Sequence, residues 1–476
     1  MKKIRTLCLV ALVILVNTNG IAQKNYYQQL NGYLEIAAQN NPEMKAYFNR
    51  YMASLEKVPQ LGSLPDPQAS LGYFIKPMEL LGGNQLAEVQ LMQMFPWFGT
   101  LKVARDEASM MAKAKFESFN TVKADLFYKV KSSWYQLMKL DREITLLREN
   151  IELLETLEKL ALVKFQSPDE VSNPGSGSMD NTSPGAMNTS TGEMSGMNNQ
   201  QNSLAPASSE KSKNVTMAGS MGSRQVGLQE VLRVRMEILE QKNQLALLTD
   251  QRRTEEIYFN ALLNRNLELN VQITDSLVKQ ILPENKAAVA DSILRNNPML
   301  SMLETENDAY GLMEQKAKKM GLPMLGLGLN YMVIQKREEN TSMMNGKDML
   351  MPMISISIPV YRKKYNSMQK EAQLMQEAGN QQIIELKNDL QVQYHQFIQN
   401  LDDAGRRMSL YKEQEDLARK TTDLLITGFA TTGNDYEEVL RMQVKVLDYG
   451  FKYIEAIVDY NTSIALAEKL MNSVKF

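Results

Sequence analysis

The chain has 476 residues, a formal net charge of -2, one histidine, one cysteine and 32 methionines. Acidic and basic residues are interspersed, which argues against a nucleic-acid partner. The one histidine (His395) leaves no His-based zinc site, the one cysteine (Cys8) lies in an N-terminal run expected to be removed, so no Cys/His nucleophilic pair is expected to remain, and no phosphate loop or dinucleotide fingerprint is present; the chain does not read as an enzyme and no cofactor is expected.

Lys2, Lys3 and Arg5 precede an apolar run over 7–16 and then Gly20-Ile21-Ala22, the layout of a secretory signal peptide over residues 1–22 with cleavage after Ala22. Cys8 leaves with it, so the mature chain is expected to carry no disulfide and no lipid-anchored N-terminal cysteine. No later stretch approaches the ~18–20 uninterrupted apolar residues of a membrane-spanning helix, which leaves alternating strands as the remaining route into a membrane.

Asn40-Asn41-Pro42 opens a helix, with Asn41 as N-cap and Pro42 in the first turn, and Asn296-Asn297-Pro298 does so again. Each is followed by two strand-like runs. In the first half these cover about 68–77 and 84–95, and in the second about 323–335 and 348–360, where Ile354, Ile356 and Ile358 alternate with Ser355 and Ser357. A proline-marked junction closes each pair, Phe95-Pro96-Trp97-Phe98 and Ile358-Pro359-Val360-Tyr361. Long helices follow, over about 102–165 and 361–429, each ~100 Å long at ~1.5 Å per residue. Val130, Leu137, Ile144 and Ile151 recur every seven residues, with Leu140, Leu147, Leu154 and Ala161 as the companion series of a coiled-coil seam. Return helices are predicted over about 226–263 and 435–472, where Glu230-Val231-Leu232-Arg233 lines up with Glu438-Val439-Leu440-Arg441.

The chain is thus an internal two-fold repeat, 23–285 and 286–476. From Pro96 to Val231 is 135 residues and from Pro359 to Val439 is 80; the difference of 55 nearly equals the 58 residues of a Ser/Gly/Asn/Pro/Thr-rich tract at 167–224. Such a tract offers too little apolar surface to offset the entropy of ordering it, and it is an insert at one helix-hairpin tip. The second half closes the same corner with Gly428-Phe429 through Gly433, glycines suited to reversing direction.

Four strands cannot close a membrane barrel, so they must pair with those of other subunits. The expected fold is mainly α with a small β part, a barrel on a helical stalk. Asn41-Pro42, Leu64-Pro65-Asp66-Pro67 and Gln93-Met94-Phe95-Pro96-Trp97-Phe98-Gly99 resemble the TolC-like outer-membrane efflux protein family, and within it the heavy-metal branch. The resemblance implies a homotrimer whose twelve-stranded barrel, four strands per chain, sits in outer-membrane lipid of a Gram-negative bacterium above a coiled-coil helical tunnel in the periplasm. It further implies a periplasmic adaptor (membrane-fusion protein) and an inner-membrane pump of RND type as partners, met by the hairpin tips at Gly227, Leu228, Gly428, Phe429 and Gly433. In relatives, acidic residues ring the tunnel constriction at this tip. Asp423 is the best-matching position, with Asp435 in the same corner and Arg441, Arg419 or Lys420 as counter-charges; the other reading of these residues is an ordinary solvated helix face.

Six methionines punctuate the insert: Met179, Met187, Met194, Met197, Met217 and Met221. Thioether sulfur suits Cu(I) and Ag(I) and discriminates against zinc, cobalt and nickel, so the insert is either a transient soft-metal trap at the docking end or compositional drift in an unconstrained loop. A second concentration, Met320, Met324, Met332, Met343, Met344, Met349, Met351 and Met353, is either apolar filler facing lipid or a neighbour, or part of the same chemistry. The expected function is the exit duct of a tripartite efflux system exporting Cu(I)/Ag(I). The alternatives are a drug or type I secretion duct and, from another class, a soluble periplasmic coiled-coil scaffold.

Overall fold

The computed structural model describes residues 28–166, 228–282, 285–339, 343–432 and 436–473. The expected signal segment 1–22, the tract 167–224 with its six methionines, Gly227, Gly433 and Asp435 lie outside the described residues. In chain order the elements are α1 (Gln28–Asn40), α2 (Pro42–Gly62), β1 (Gln68–Leu80), β2 (Gly83–Phe95), α3 (Thr100–Gln166), α4 (Leu228–Leu262), α5 (Lys286–Asn296), α6 (Pro298–Met320), β3 (Met324–Gln335), β4 (Met349–Ser357), α7 (Arg362–Thr432) and α8 (Tyr436–Met471). The chain is therefore mostly helical with one small sheet. Among the described residues no helix is long and apolar enough to cross a membrane.

Two helices set the scale: α3 has 67 residues and α7 has 71, each ~100 Å of continuous helix. Near the sheet α3 packs on α2 and α6, and further along on α4 and α8. All eight seam residues, from Val130 and Leu137 through Leu154 and Ala161, are buried, as heptad periodicity requires when a helix faces partners along its whole length. One polar layer interrupts the seam: the Asn150 amide donates to Gln241 at 2.6 Å while Gln443 donates to Asn150, tying α3, α4 and α8 together. A buried amide satisfied only by partners at the same level pins the register of the three helices.

The repeated Asn-Pro cap does more than start a helix. Asn41 accepts the N–H groups of Glu43 and Met44 at 3.0 and 3.1 Å, and its own amide donates to the Leu262 carbonyl at the end of α4, 3.0 Å away. Asn297 repeats each part, accepting from Met299 and Leu300 and donating to Leu470 near the end of α8, all at 3.1 Å. One side chain thus satisfies orphan donors of one helix and an orphan acceptor of another.

The sheet is antiparallel in the order β1-β2-β3-β4. β1 runs on to Leu80, past the end predicted at 77, because the register slips between Tyr73 and Met78; the irregularity accommodates Pro77, which has no N–H to donate, on an edge strand. β4 stops at Ser357, short of the expected 360, since Pro359 cannot continue the ladder. A second correction concerns Gly428. It was expected to begin the reversal, but it lies inside α7, which continues to Thr432, and a Cβ there would meet nothing within 4 Å.

Candidate functional site

Two regions carry functional potential, the helical tip and the sheet. At the tip, Leu154, Leu157 and Ala161 of α3, Val231, Val234 and Ile238 of α4, Phe429 of α7, and Tyr436 and Val439 of α8 form one apolar cluster. Phe429 is fully buried, its ring 4.8 Å from that of Tyr436. It belongs to the core of the tip, whereas Leu228, 52 % exposed, belongs to its surface. The Tyr436 hydroxyl has no hydrogen-bond partner among the described residues; burial, then the charges of Glu158 and Glu230, push its titration upward.

Asp423 lies on the exposed side of α7, where its carbonyl accepts from the Thr427 hydroxyl at 2.8 Å. Two of the three expected counter-charges, Arg419 and Arg441, are engaged elsewhere within the chain. Arg419 donates to Glu415 from two nitrogens at 2.9 and 2.8 Å, and Arg441 pairs with Glu438. The ion pair that does cross the tip, Arg233 of α4 with Glu437 of α8 at 3.0 Å, went unnoticed in the sequence although Arg233 ends the repeated Glu-Val-Leu-Arg block. Both partners are largely exposed, so its stabilisation is at the low end of surface pairs, ~0–1 kcal/mol.

Further along α3, Glu143 is buried against α8. Burial pushes its carboxyl up to about 7, with Lys139 at 3.8 Å opposing the shift and Glu455 adding to it. An unfolded glutamate titrates near 4.5, so between these two values the native state holds more protons than the unfolded one. The native state therefore loses stability as pH rises through that window, by at most ~3 kcal/mol. Glu143→Gln is expected to raise the thermal midpoint at pH 8 and leave it unchanged at pH 4. Equal shifts at both pH values would show that Glu143 titrates alike in the folded and unfolded states, with no upward shift on burial.

In the sheet, residues in register share a face. One face carries Leu71 and Tyr73 of β1, Val89 and Leu91 of β2, Leu327, Leu329 and Tyr331 of β3, and Leu350, Ile354 and Ile356 of β4, in register across all four strands. All ten are exposed. A contiguous apolar face of this extent on a water-soluble monomer would be an aggregation hazard; strands of 9 to 13 residues are long enough to cross a bilayer when tilted. The opposite face carries Gln68, Ser70, Glu88, Gln90, Asn330 and Ser355 together with methionines. Trp97 and Phe98 are exposed where β2 meets α3, and Tyr361 is exposed where β4 meets α7, the level at which amphipathic aromatics collect at a membrane–water boundary. β1 and β4 each pair with one neighbour, so both edges of the sheet are open in the single chain.

His395 and the buried Trp134 have plain structural roles. His395 is exposed on α7, its ring 5.3 Å from that of Tyr394. Trp134 is fully buried between Tyr33 and Phe259. Among the described residues no group of three or more His, Cys, Asp or Glu gathers as a metal site.

No family model matches the sequence, and no curated protein matches it. Solved structures do. The chain superposes on the outer membrane protein VceC of Vibrio cholerae with a TM-score of 0.66 at 10% identity, over 93% of this chain and 96% of that one. It superposes on the MtrE outer membrane channel of Neisseria gonorrhoeae, in its open state, with a TM-score of 0.65 at 13% identity, over 93% and 88%. For CusC, described in terms of transmembrane channel formation, the values are 0.63, 12%, 93% and 92%. This chain has the fold of outer-membrane channels.

Proposed function

We propose that the chain is the outer-membrane exit duct of a tripartite efflux system, a TolC-like passive conduit with no catalytic step. One observation carries this reading: the open-edged sheet, with ten exposed apolar side chains on one face, stands at the end of two ~100 Å helices. Unpaired strand edges are not tolerated in lipid, so three copies join β1 to β4 around a shared twelve-stranded barrel whose apolar face meets lipid. The helices span the periplasm, and the tips meet a periplasmic adaptor and an inner-membrane pump of RND type. Asp423 then recurs three times about the axis, where like charges attract cations and resist closure. Its exposure and its lack of an ion pair with Arg419 or Arg441 within the chain suit that role.

The cargo we assign is Cu(I) or Ag(I), on the chemistry of the methionines. In cell fractions the protein is expected as heat-sensitive oligomers in the outer membrane, and a deletion strain is expected to lose tolerance to copper and silver but not to zinc or cobalt. Sensitivity to drugs alone would make it a drug duct, and release in soluble form without detergent would make it a periplasmic scaffold.

A further inference from the structure

We propose that the non-lipid face of the sheet is a thioether ladder that binds Cu(I) or Ag(I) inside the barrel, distinct from the methionines of the insert. The proposal rests on the duct reading for which face is inside; the sulfur geometry stands without it.

The strands contain Met78 in β1, Met92 and Met94 in β2, Met324 and Met332 in β3, and Met349, Met351 and Met353 in β4. Register places every one of them on the same face. Met92 lies opposite Gly328, which lies opposite Met353; Met94 opposite Gly326, opposite Ser355; Glu88 opposite Met332, opposite Met349; Asn330 opposite Met351; and Met324 opposite Ser357. Met78 joins them through the bulges, opposite Gln85, which is opposite Ile334. Not one methionine stands among the Leu, Ile, Val and Tyr of the apolar face. Methionine used as filler would be at least as welcome against lipid, so its confinement to the polar face calls for another cause.

Local geometry supplies one. The Ser355 hydroxyl lies 3.7 Å from the Met92 sulfur and 3.9 Å from the Met94 sulfur, which brings two thioethers from successive rungs to one point. Gly326 and Gly328 open the room. A Cβ at Gly326 would come within 2.8 Å of the Met94 sulfur and 2.1 Å of the Ser355 Oγ, and one at Gly328 would crowd the Leu91 carbonyl oxygen at 3.1 Å and touch the terminal methyls of Met353 and Met92 at 3.5 and 3.6 Å. β3 thus carries no side chain at the two positions flanked by Met92 and Met94 of β2 and by Met353 and Ser355 of β4. Rungs repeat every two residues, ~7 Å along the strand. Thioethers are neutral soft ligands that hold a monovalent ion without neutralising it. A series of such sites binds firmly enough to admit the ion and weakly enough to pass it on, as conduction requires.

The test is anaerobic Cu(I) titration of the full-length protein in detergent, in competition with a chromophoric Cu(I) chelator, comparing wild type with Met92→Leu/Met94→Leu/Met353→Leu. Leucine nearly conserves volume, and the insert is the same in both. The variant is expected to hold roughly one Cu(I) fewer per chain, with its heat-sensitive oligomer retained, while Met236→Leu on the exposed face of α4 changes nothing. Should the triple variant fail to assemble, Met353→Leu alone is expected to weaken the lost site about tenfold. Superimposable titrations for wild type and an assembled variant would overturn the ladder and leave the duct standing. Detergent-free release of the wild type would overturn the duct reading, and with it the placement of the ladder inside a barrel.

Discussion

Leu329→Arg is expected to abolish the outer-membrane oligomer. Leu329 lies midway along β3 between Leu91 and Pro352 and is 46 % exposed on the apolar face. A cation at the bilayer midplane on the lipid side of a barrel strand costs ~2–4 kcal/mol, and a shared barrel would carry one in every chain. The comparison is Gln90→Arg, at the neighbouring level of β2 but on the opposite face, where an arginine would meet water in the lumen. Heat-sensitive oligomers are expected in the membrane fraction for Gln90→Arg and wild type, and only degraded or soluble chain for Leu329→Arg. If both variants insert alike, the apolar face is not the one that meets lipid.

Trp134→Ala is the largest loss expected in the helical body, ~3–5 kcal/mol of unfolding free energy. The indole is fully buried, with ring centroids 5.3 Å from Tyr33 and 5.7 Å from Phe259. Its cluster draws on α1 through Leu30 and Leu34, on α4 through Phe259, and on α8 through Val458 and Ala465, so a cavity here loosens four helices at once. The indole N–H has no hydrogen-bond partner among the described residues, and Trp134→Phe, which removes that donor and keeps an aromatic ring, is expected to cost much less. Denaturant midpoints of the two variants decide the matter: equal losses would mean that the indole N–H, and not the filled volume, matters.

The helical body buries Trp134 and the heptad seam away from water, whereas Leu329 and its neighbours are exposed in the single chain; on the duct reading proposed above, lipid and other copies cover them. The soft-metal proposal draws on a third surface, the face of the sheet opposite the apolar one. The insert methionines Met179 to Met221 remain the separate, tip-located candidate for the same chemistry.

Much of this architecture is legible in local patterns. The heptad from Val130 to Ile151 foretells a buried seam because 3.5- and 3.6-residue periodicities put one stripe on one side of a helix. Asn41-Pro42 and Asn297-Pro298 mark helix starts because the asparagine acceptor and the missing proline N–H both suit a first turn. Alternation of Ile354, Ser355, Ile356 and Ser357 shows a strand with two unlike faces. Misreadings fell where a local signal had more than one use. Gly428 signalled a turn but sits within α7, and Pro77 signalled a strand end but is absorbed by an irregularity in an edge strand.

The sequence by itself determined the order of the elements, their two-fold repeat and the apolar and polar sides of the last strand, since these depend on residues only a few positions apart. Tertiary structure decided what those sides meet. Ser355 and Met92 are 263 residues apart in sequence, and only the register between strands from different halves of the chain, bulges included, brings every strand methionine to one face. In the same way the Asn41 and Asn297 amides reach the far ends of α4 and α8, Phe429 turns into the tip core, and Glu143 loses its water. Each depends on which distant segment packs alongside, and no periodicity within a single segment encodes that.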